Sequence, residues 1–435
     1  MKIILAAKSV YPFHPFGGVQ KNVYYFAKHL ARAGVSVEVI APLDGKKPRQ
    51  EVLDGVTFTL IEPDIYKYLE YPVGWWGVHR FSQSLADYLQ TRDFDILHSF
   101  DMAGYRYACQ QNHRPVISQI FTDNYLCNPL SLWNPDNWLA LFGRRTANIK
   151  KTKVRLSPYG SATDVLRYPL QYYFKVQPIH RCLSASQAVF FEDEIFKEEV
   201  CRLFRIPDNK CRVLPVGVDI AVIDQHSKPA DRARLGFHRN DIVLLTVNRL
   251  AADKGVDRLV MALAQIRKTH PQVKLLIIGQ GYQQKEIEQL ITDQGLTEDV
   301  HLLQNVAEDE LYSYYRAANL YVCAFSYPGS SVSTLEAMAC GLPIITSAQP
   351  WLVEEGACGC YLPDNDPSTI RQAVVKCLNS EQLAEMGKVS RRRVVDFDWP
   401  HIVRQAVDCY EELLSFKGSP DSLRQGGVHG TNSPA

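Results

Sequence analysis

The sequence predicts an α/β protein built from two doubly wound parallel sheets, and three observations carry that expectation. Short β-branched runs alternate with helical patterns almost from end to end, as repeated βα units require. Most of those runs are apolar at consecutive positions, so the strands must be covered on both faces. The 435 residues also exceed what one ordinary core accommodates, and two domains of roughly 200 residues each are the natural expectation.

In the first half, "KIILA", "SVEVIAP", "DILHSF", "PVISQIF", "AVFF" and "CRVLPVG" read as strands. The opening "MKIILAAKSVYPF" holds an apolar run, Ile3 to Ala7, too short for a signal segment or a membrane span, so it reads as a buried first strand. After it, Val23, Phe26, Ala27 and Leu30 form one helical stripe that stops at Gly34. A less regular stretch, residues 124–180, interrupts the βα rhythm. The second half supplies "DIVLLTV", "VKLLIIG", "VHLLQN", "LYVCAF" and "PIITS", with helical spacing over 256–266, 284–291 and 310–317. The expected division is a first domain over 1–218, a second over 219–396, a last helical segment over 397–417, and a small-residue, polar tail over 418–435 that reads as disordered.

Composition narrows the class. Apolar residues make up 46% and charged residues 22%, and the formal charge is +1. That balance fits a globular protein and points to no nucleic-acid partner. The eleven cysteines show no repeated metal spacing, and Cys358-Gly359-Cys360 is not a CxxC pair, so they read as small buried hydrophobes in a reducing cytoplasm. The two "DFD" tripeptides, 93–95 and 396–398, border a strand and a tryptophan and do not read as metal sites. Neither GxGxxG nor a Walker lysine motif occurs, which disfavours a dinucleotide dehydrogenase and a P-loop NTPase.

Open α/β sheets bind ligands at the carboxyl ends of their strands, so the residues just past each strand matter most. "NRLAADKG" follows "DIVLLTV" and puts Arg249 and Lys254 on one loop before the next helix. Two cations at a helix N-terminus suit a diphosphate; a solvated loop with ordinary surface cations is the other reading. Gly17 and Gly18 follow the first strand and either form a plain turn or let the backbone approach a ligand. In "SYPGSSVSTLEAMACG", Ser333 and Glu336 fit a capping box, while the same helix start still offers spare N–H donors.

Together these pieces resemble a known family. "GGVQKNVYYFAKHLARAGVSVEVIAP", "DILHSF", "CRVLPVGVD", "LLTVNRLAADKGVDRLVMAL", "LLIIGQG", "VHLLQNVAEDELYSYYRAANLYV" and "LEAMACGLPIITS" run in the order found in retaining GT-B glycosyltransferases of family 4, the group 1 glycosyl transferases. The resemblance covers about residues 2–416. It implies two Rossmann-like domains facing across a cleft, with the final helix crossing back onto the first domain. It implies a nucleotide-diphosphate sugar as donor, gripped by Arg249 and Lys254, with Gly17 and Gly18 approaching from the acceptor side. Glu336 would accept hydrogen bonds from the ribose hydroxyls, the amides near Val332 and Ser333 would meet phosphate, and Val306 would lie beside the base. No metal and no resident cofactor are implied, since the two cations would neutralise the diphosphate.

The sequence departs from the family pattern in three places. The first of the family's paired glutamates falls on Pro328, which can neither accept those hydrogen bonds nor donate through its nitrogen. The histidine commonly found after the "PVISQI" strand falls on Phe121, with Thr122 and Asp123 nearby; Asp123 is the candidate substitute. Phe100 stands where a second polar residue is expected after His98, and His98 itself reads as a structural strand-end residue.

The resulting expectation is a metal-independent enzyme that moves a hexose to a glycan, lipid-linked or small-molecule acceptor in polysaccharide or glycolipid synthesis. The alternative is a non-catalytic nucleotide-binding or scaffold subunit, which Pro328 and Phe121 favour. "WNPDNWLALFGRRTANIKKTKVR" sets aromatic and apolar residues beside a basic cluster. It reads as a solvated basic loop or as a peripheral contact with the inner face of a membrane.

Overall fold

Consecutive apolar residues in the strands are buried on both faces, and this sets the architecture. Ile3, Ile4, Leu5 and Ala6 of the first strand have no exposed surface, and Val243, Leu244 and Leu245 repeat the pattern in the second half. The structure, a computed structural model, describes residues 1–14, 17–43, 49–63, 73–110, 114–121, 177–226, 228–326, 331–378 and 380–417. Asp123, Pro328, the aromatic and basic stretch beginning at Trp133, and the tail expected to be disordered all lie outside those residues.

The chain divides into two compact units. Of the described residues, one unit takes in those of Met1–Ile120, of Tyr173–Leu214 and of 402–417; the other takes in Phe121 and those of Pro215–His401.

The first unit carries strands β1 (Lys2–Ala6), β2 (Ser36–Pro42), β3 (Gln50–Leu53), β4 (Val56–Ile61), β5 (Ile96–Phe100), β6 (Val116–Ile120), β7 (Ala188–Phe191) and β8 (Cys211–Val213). They form one eight-stranded sheet in the order β3-β4-β2-β1-β5-β6-β7-β8. All its pairings are parallel except β3–β4, an antiparallel hairpin at the edge. That hairpin turns through Asp54 and Gly55, both at positive φ (49° and 80°), as a tight two-residue hairpin turn requires. Sequence reading did not find β3 and β4, although Asp-Gly between alternating residues is the signal for such a turn.

The second unit carries β9 (Ile242–Val247), β10 (Val273–Ile278), β11 (Val300–Leu303), β12 (Leu320–Cys323), β13 (Ile344–Thr346) and β14 (Gly359–Tyr361). Its sheet is parallel throughout, in the order β11-β10-β9-β12-β13-β14. The helix Val256–Ile266 buries Val256, Leu259, Val260, Leu263 and Ile266, and the helix Pro367–Lys376 packs beside it.

Both sheets reverse direction beside their first strand. The chain leaves β1 toward β2 and later returns to β5 on its other side; it leaves β9 toward β10 and returns to β12. Crevices for ligands open at such switch points, outside the carboxyl ends of the flanking strands. The fold therefore singles out the ends of β1 and β5 in one unit and of β9 and β12 in the other.

His98 has a structural role. It is fully buried in β5, its Nδ1 lies 2.6 Å from the Tyr410 hydroxyl, and its ring stacks on Phe100 at 4.8 Å. Burial, partly offset by the Gln119 side chain, pushes its pKa down to about 3, so the ring is neutral at physiological pH. Tyr410 belongs to the last helix, Trp399–Lys417, so this contact ties that helix into the first unit. The two "DFD" sites are likewise structural: Asp95 accepts from the Lys2 amide at 2.7 Å, and Asp398 from the Ile220 amide at 3.2 Å.

Candidate functional site

At the end of β9 the chain makes a short 3-10 turn, Ala252–Lys254, and enters the helix Val256–Ile266 through Gly255. Gly255 has φ +64°, and a Cβ there would lie 1.9 Å from the carbonyl oxygen of Ala324. Only glycine allows the β9 loop to press against the end of β12 in this way. The same juncture is stitched by hydrogen bonds. The Ser326 amide donates to the Asp253 carbonyl at 2.9 Å, and Asn365 Nδ2 donates to the Ala324 carbonyl at 3.2 Å.

Lys254 and Arg249 share this loop but differ in setting. The Lys254 side chain is 14% exposed and that of Arg249 is 63% exposed. Both face Asp253, whose carboxylate lies 3.2 Å from Lys254 Nζ and 4.0 Å from an Arg249 guanidinium nitrogen. Lys254 Nζ also stands 3.9 Å from the centroid of the Phe325 ring. The structure thus gathers one enclosed cation, one outward cation and a carboxylate between them. Sequence reading passed over Asp253 although it sits inside "NRLAADKG".

The helix at the end of β12 spans Val332–Ala339. Its N-cap is Ser331, whose side chain accepts from the Thr334 amide at 3.3 Å, so the expected capping box on Ser333 and Glu336 does not form. The register is set two residues earlier, and Ser333 is instead engaged sideways by the Tyr321 hydroxyl at 2.7 Å. The first-turn amides of Val332 and Ser333 fall outside the helix's own hydrogen-bond ladder. Glu336 is buried, 6% exposed, and accepts from the Tyr315 hydroxyl at 2.9 Å. Burial first, and then the Glu336 charge, holds the Tyr315 pKa well above the usual phenol range, so Tyr315 stays a donor. Val306 lies half-buried between β11 and the helix Glu308–Ala317, also at a carboxyl strand end.

In the first unit, Gly17 is the N-cap of the helix Gly18–Arg32. A Cβ on Gly18 would meet no atom within 4 Å, and one on Gly17 would meet only the flexible end of Gln20. Among the described residues the space beside Gly18 is therefore open, whereas the space beside Gly17 is taken by Gln20, whose Nε2 donates to Ser9 Oγ at 2.8 Å. At the neighbouring switch point Lys8 pairs with Asp101 at 3.0 Å. Asp101 is 5% exposed, sits at φ +55°, and its other carboxylate oxygen is buried with no hydrogen-bond partner among the described residues. Sequence reading missed this pair, whose members are 93 positions apart. Phe121, directly after β6, is 2% exposed.

Sequence and structure comparisons fit this geometry. Residues 16–222 match the family model for Glycosyltransferase Family 4, and residues 227–393 match that for Glycosyl transferases group 1. The chain belongs to the group 1 glycosyltransferases. Among curated relatives, an uncharacterized glycosyltransferase of Methanocaldococcus jannaschii is 27% identical over 231 residues, covering 51% of this chain and 59% of that one. A D-inositol 3-phosphate glycosyltransferase of Acidothermus cellulolyticus is 26% identical, covering 55% of this chain and 57% of the relative. The chain thus spans less than two thirds of these relatives' lengths. Among solved structures, sucrose-phosphate synthase of Thermosynechococcus elongatus superposes with a TM-score of 0.74 at 21% identity, covering 96% of this chain and all of that one. Anabaena HepE with bound UDP and glucose gives 0.65 at 20% identity, covering 95% of this chain and all of that one. The glycosyltransferase fold is GT-B, with two Rossmann-like domains.

Among the described residues no cluster of three or more His, Cys, Asp or Glu side chains could hold a metal ion. Among them, too, no helix is long and apolar enough to cross a membrane.

Proposed function

We propose that this group 1 glycosyltransferase moves a hexose from a nucleotide-diphosphate sugar to a hydroxyl of a glycan, lipid-linked or small-molecule acceptor, with retention at the anomeric carbon. The observation that carries the reading is the β9–β12 switch point, where an enclosed Lys254 and an outward Arg249 stand on a loop stitched to the end of β12. A diphosphate there would meet Lys254 and Arg249, with the amides of Val332 and Ser333 beyond. Glu336 would receive the ribose hydroxyls by exchanging its bond with Tyr315, and Val306 would flank the base. Anabaena HepE in complex with UDP-glucose supplies a precedent for a donor of this class.

Bond breaking sends the electron pair of the C1–O bond onto the diphosphate oxygen. The acceptor oxygen bonds to C1 from the same face, and its proton passes to that same diphosphate oxygen. Cations fixed around the leaving group act where charge develops, which is where they lower the barrier. Lys254 and Arg249 supply that charge on this reading without a divalent metal or resident cofactor. Asp123 is retained as a proposed catalytic side chain, and Gly17 and Gly18 are proposed to let a ligand approach the backbone of the first domain. The buried, half-satisfied carboxylate of Asp101 adds a hydroxyl acceptor on that domain. Polysaccharide or glycolipid synthesis at the inner face of a cytoplasmic membrane is the setting this chemistry suits.

The second reading, a non-catalytic nucleotide-binding subunit, rests on Pro328 in place of a sugar-binding carboxylate and on the buried Phe121. Donor consumption with a panel of UDP-, GDP- and ADP-hexoses decides between them. One donor should be consumed in the presence of added chelator, and proton NMR should show the product anomer matching the donor. Nucleotide binding with neither transfer nor hydrolysis of any donor would establish the second reading.

A further inference from the structure

We propose that Phe325 is a positioning residue for diphosphate recognition, its ring acting as a fixed seat for the Lys254 ammonium. The inference rests on the reading of the Arg249–Lys254 loop as the diphosphate site. Lys254 Nζ lies 3.9 Å from the ring centroid, within the range where an aromatic face attracts a cation. The ring is buried and its backbone is anchored. Phe325 is 7% exposed, and its carbonyl accepts from Ser347 Oγ at 2.8 Å. The preceding carbonyl, of Ala324, is wedged against Gly255 and held by Asn365.

The choice of an aromatic here has a chemical consequence. An ammonium carries three N–H donors on a flexible stem, and its useful form at a phosphate site is one already pointing inward. A second carboxylate beneath it would orient it but would also cancel its charge and repel the ligand. A ring face stabilises the charge without taking a directed hydrogen bond. Asp253, at 3.2 Å, is then the partner that a phosphate oxygen displaces, while the ring contact persists. Sequence reading assigned Phe325 only to the strand run "LYVCAF"; its proximity to Lys254 emerges because β9 and β12 are neighbours in the sheet.

The test is calorimetric titration of the full chain with UDP and GDP, and separately with uridine and guanosine. Wild type is compared with Phe325→Leu, Phe325→Tyr, Lys254→Ala and the Phe325→Leu/Lys254→Ala double variant. Phe325→Leu should weaken the better-bound nucleoside diphosphate by about 3- to 30-fold and leave its nucleoside unchanged. Phe325→Tyr, which keeps the ring, should stay within about twofold of wild type. In the Lys254→Ala background, Phe325→Leu should have no further effect. Equal weakening of diphosphate and nucleoside, or a full Phe325→Leu effect without Lys254, would mean a merely structural role and overturn the inference. A large Lys254→Ala effect beside a silent Phe325→Leu would overturn it too, while leaving the site intact. A Lys254→Ala variant with unchanged diphosphate affinity would instead remove the site reading on which it rests.

Discussion

Replacing Lys254 by alanine is expected to lower donor turnover by about 10²- to 10³-fold, the scale of losing one preorganised charge donor to a developing anion. The side chain is 14% exposed and lies between Asp253 and Phe325, so its charge is neither fully solvated nor cancelled. In such a setting its interaction with a leaving diphosphate exceeds that of a surface lysine. The fold should survive. Losing the ion pair with Asp253 and the ring contact with Phe325 should cost about 1 kcal/mol, so the melting temperature should move by about 2–4 °C. Steady-state rates at subsaturating donor, with circular dichroism on the same samples, check both halves. An unchanged rate would sink the assignment of Lys254 to the leaving group.

The second large effect is structural. Gly255→Ala should destabilise the second unit by about 3 kcal/mol or more, because the new methyl group would stand 1.9 Å from the Ala324 carbonyl oxygen. The residue is also at φ +64°, where alanine is strained even in open space. For a unit of this size that loss corresponds to roughly 6–12 °C in melting temperature. Because the clash must be relieved by parting the β9 loop from the β12 end, donor affinity should fall with stability. Thermal unfolding without ligand, followed by nucleotide titration below the transition, separates the two. Wild-type stability in this variant would show that the two loops are not held in contact.

Much of this was legible in the sequence because its cause is local or periodic. The buried strands of both sheets announce themselves by consecutive apolar residues, and the helix Gly18–Arg32 by its stripe. The placing of Arg249 and Lys254 at a strand end follows from the same reading. What sequence did not disclose depends on register or on contacts between distant residues. The N-cap at Ser331 rather than Ser333 is a two-residue shift between serines of equal capping propensity, and Tyr321 in the neighbouring strand settles it. Glu336 looked like a capping residue because its partner, Tyr315, comes from the preceding helix. The Lys8–Asp101 pair exists only because β1 and β5 are neighbours in the sheet. The short edge strands β3 and β14 have too little apolar surface to stand out, and Val52 of β3 is 64% exposed.

On the proposed reading the crevice at the ends of β9 and β12 holds the donor diphosphate. A crystal structure of the chain soaked with the nucleoside diphosphate that binds best in titration tests it most directly. The expected result is a phosphate oxygen within hydrogen-bond distance of Lys254 Nζ, the second phosphate near Arg249 and the Val332–Ser333 amides, and a ribose hydroxyl on Glu336. A diphosphate bound elsewhere, with Lys254 still paired to Asp253, would contradict it.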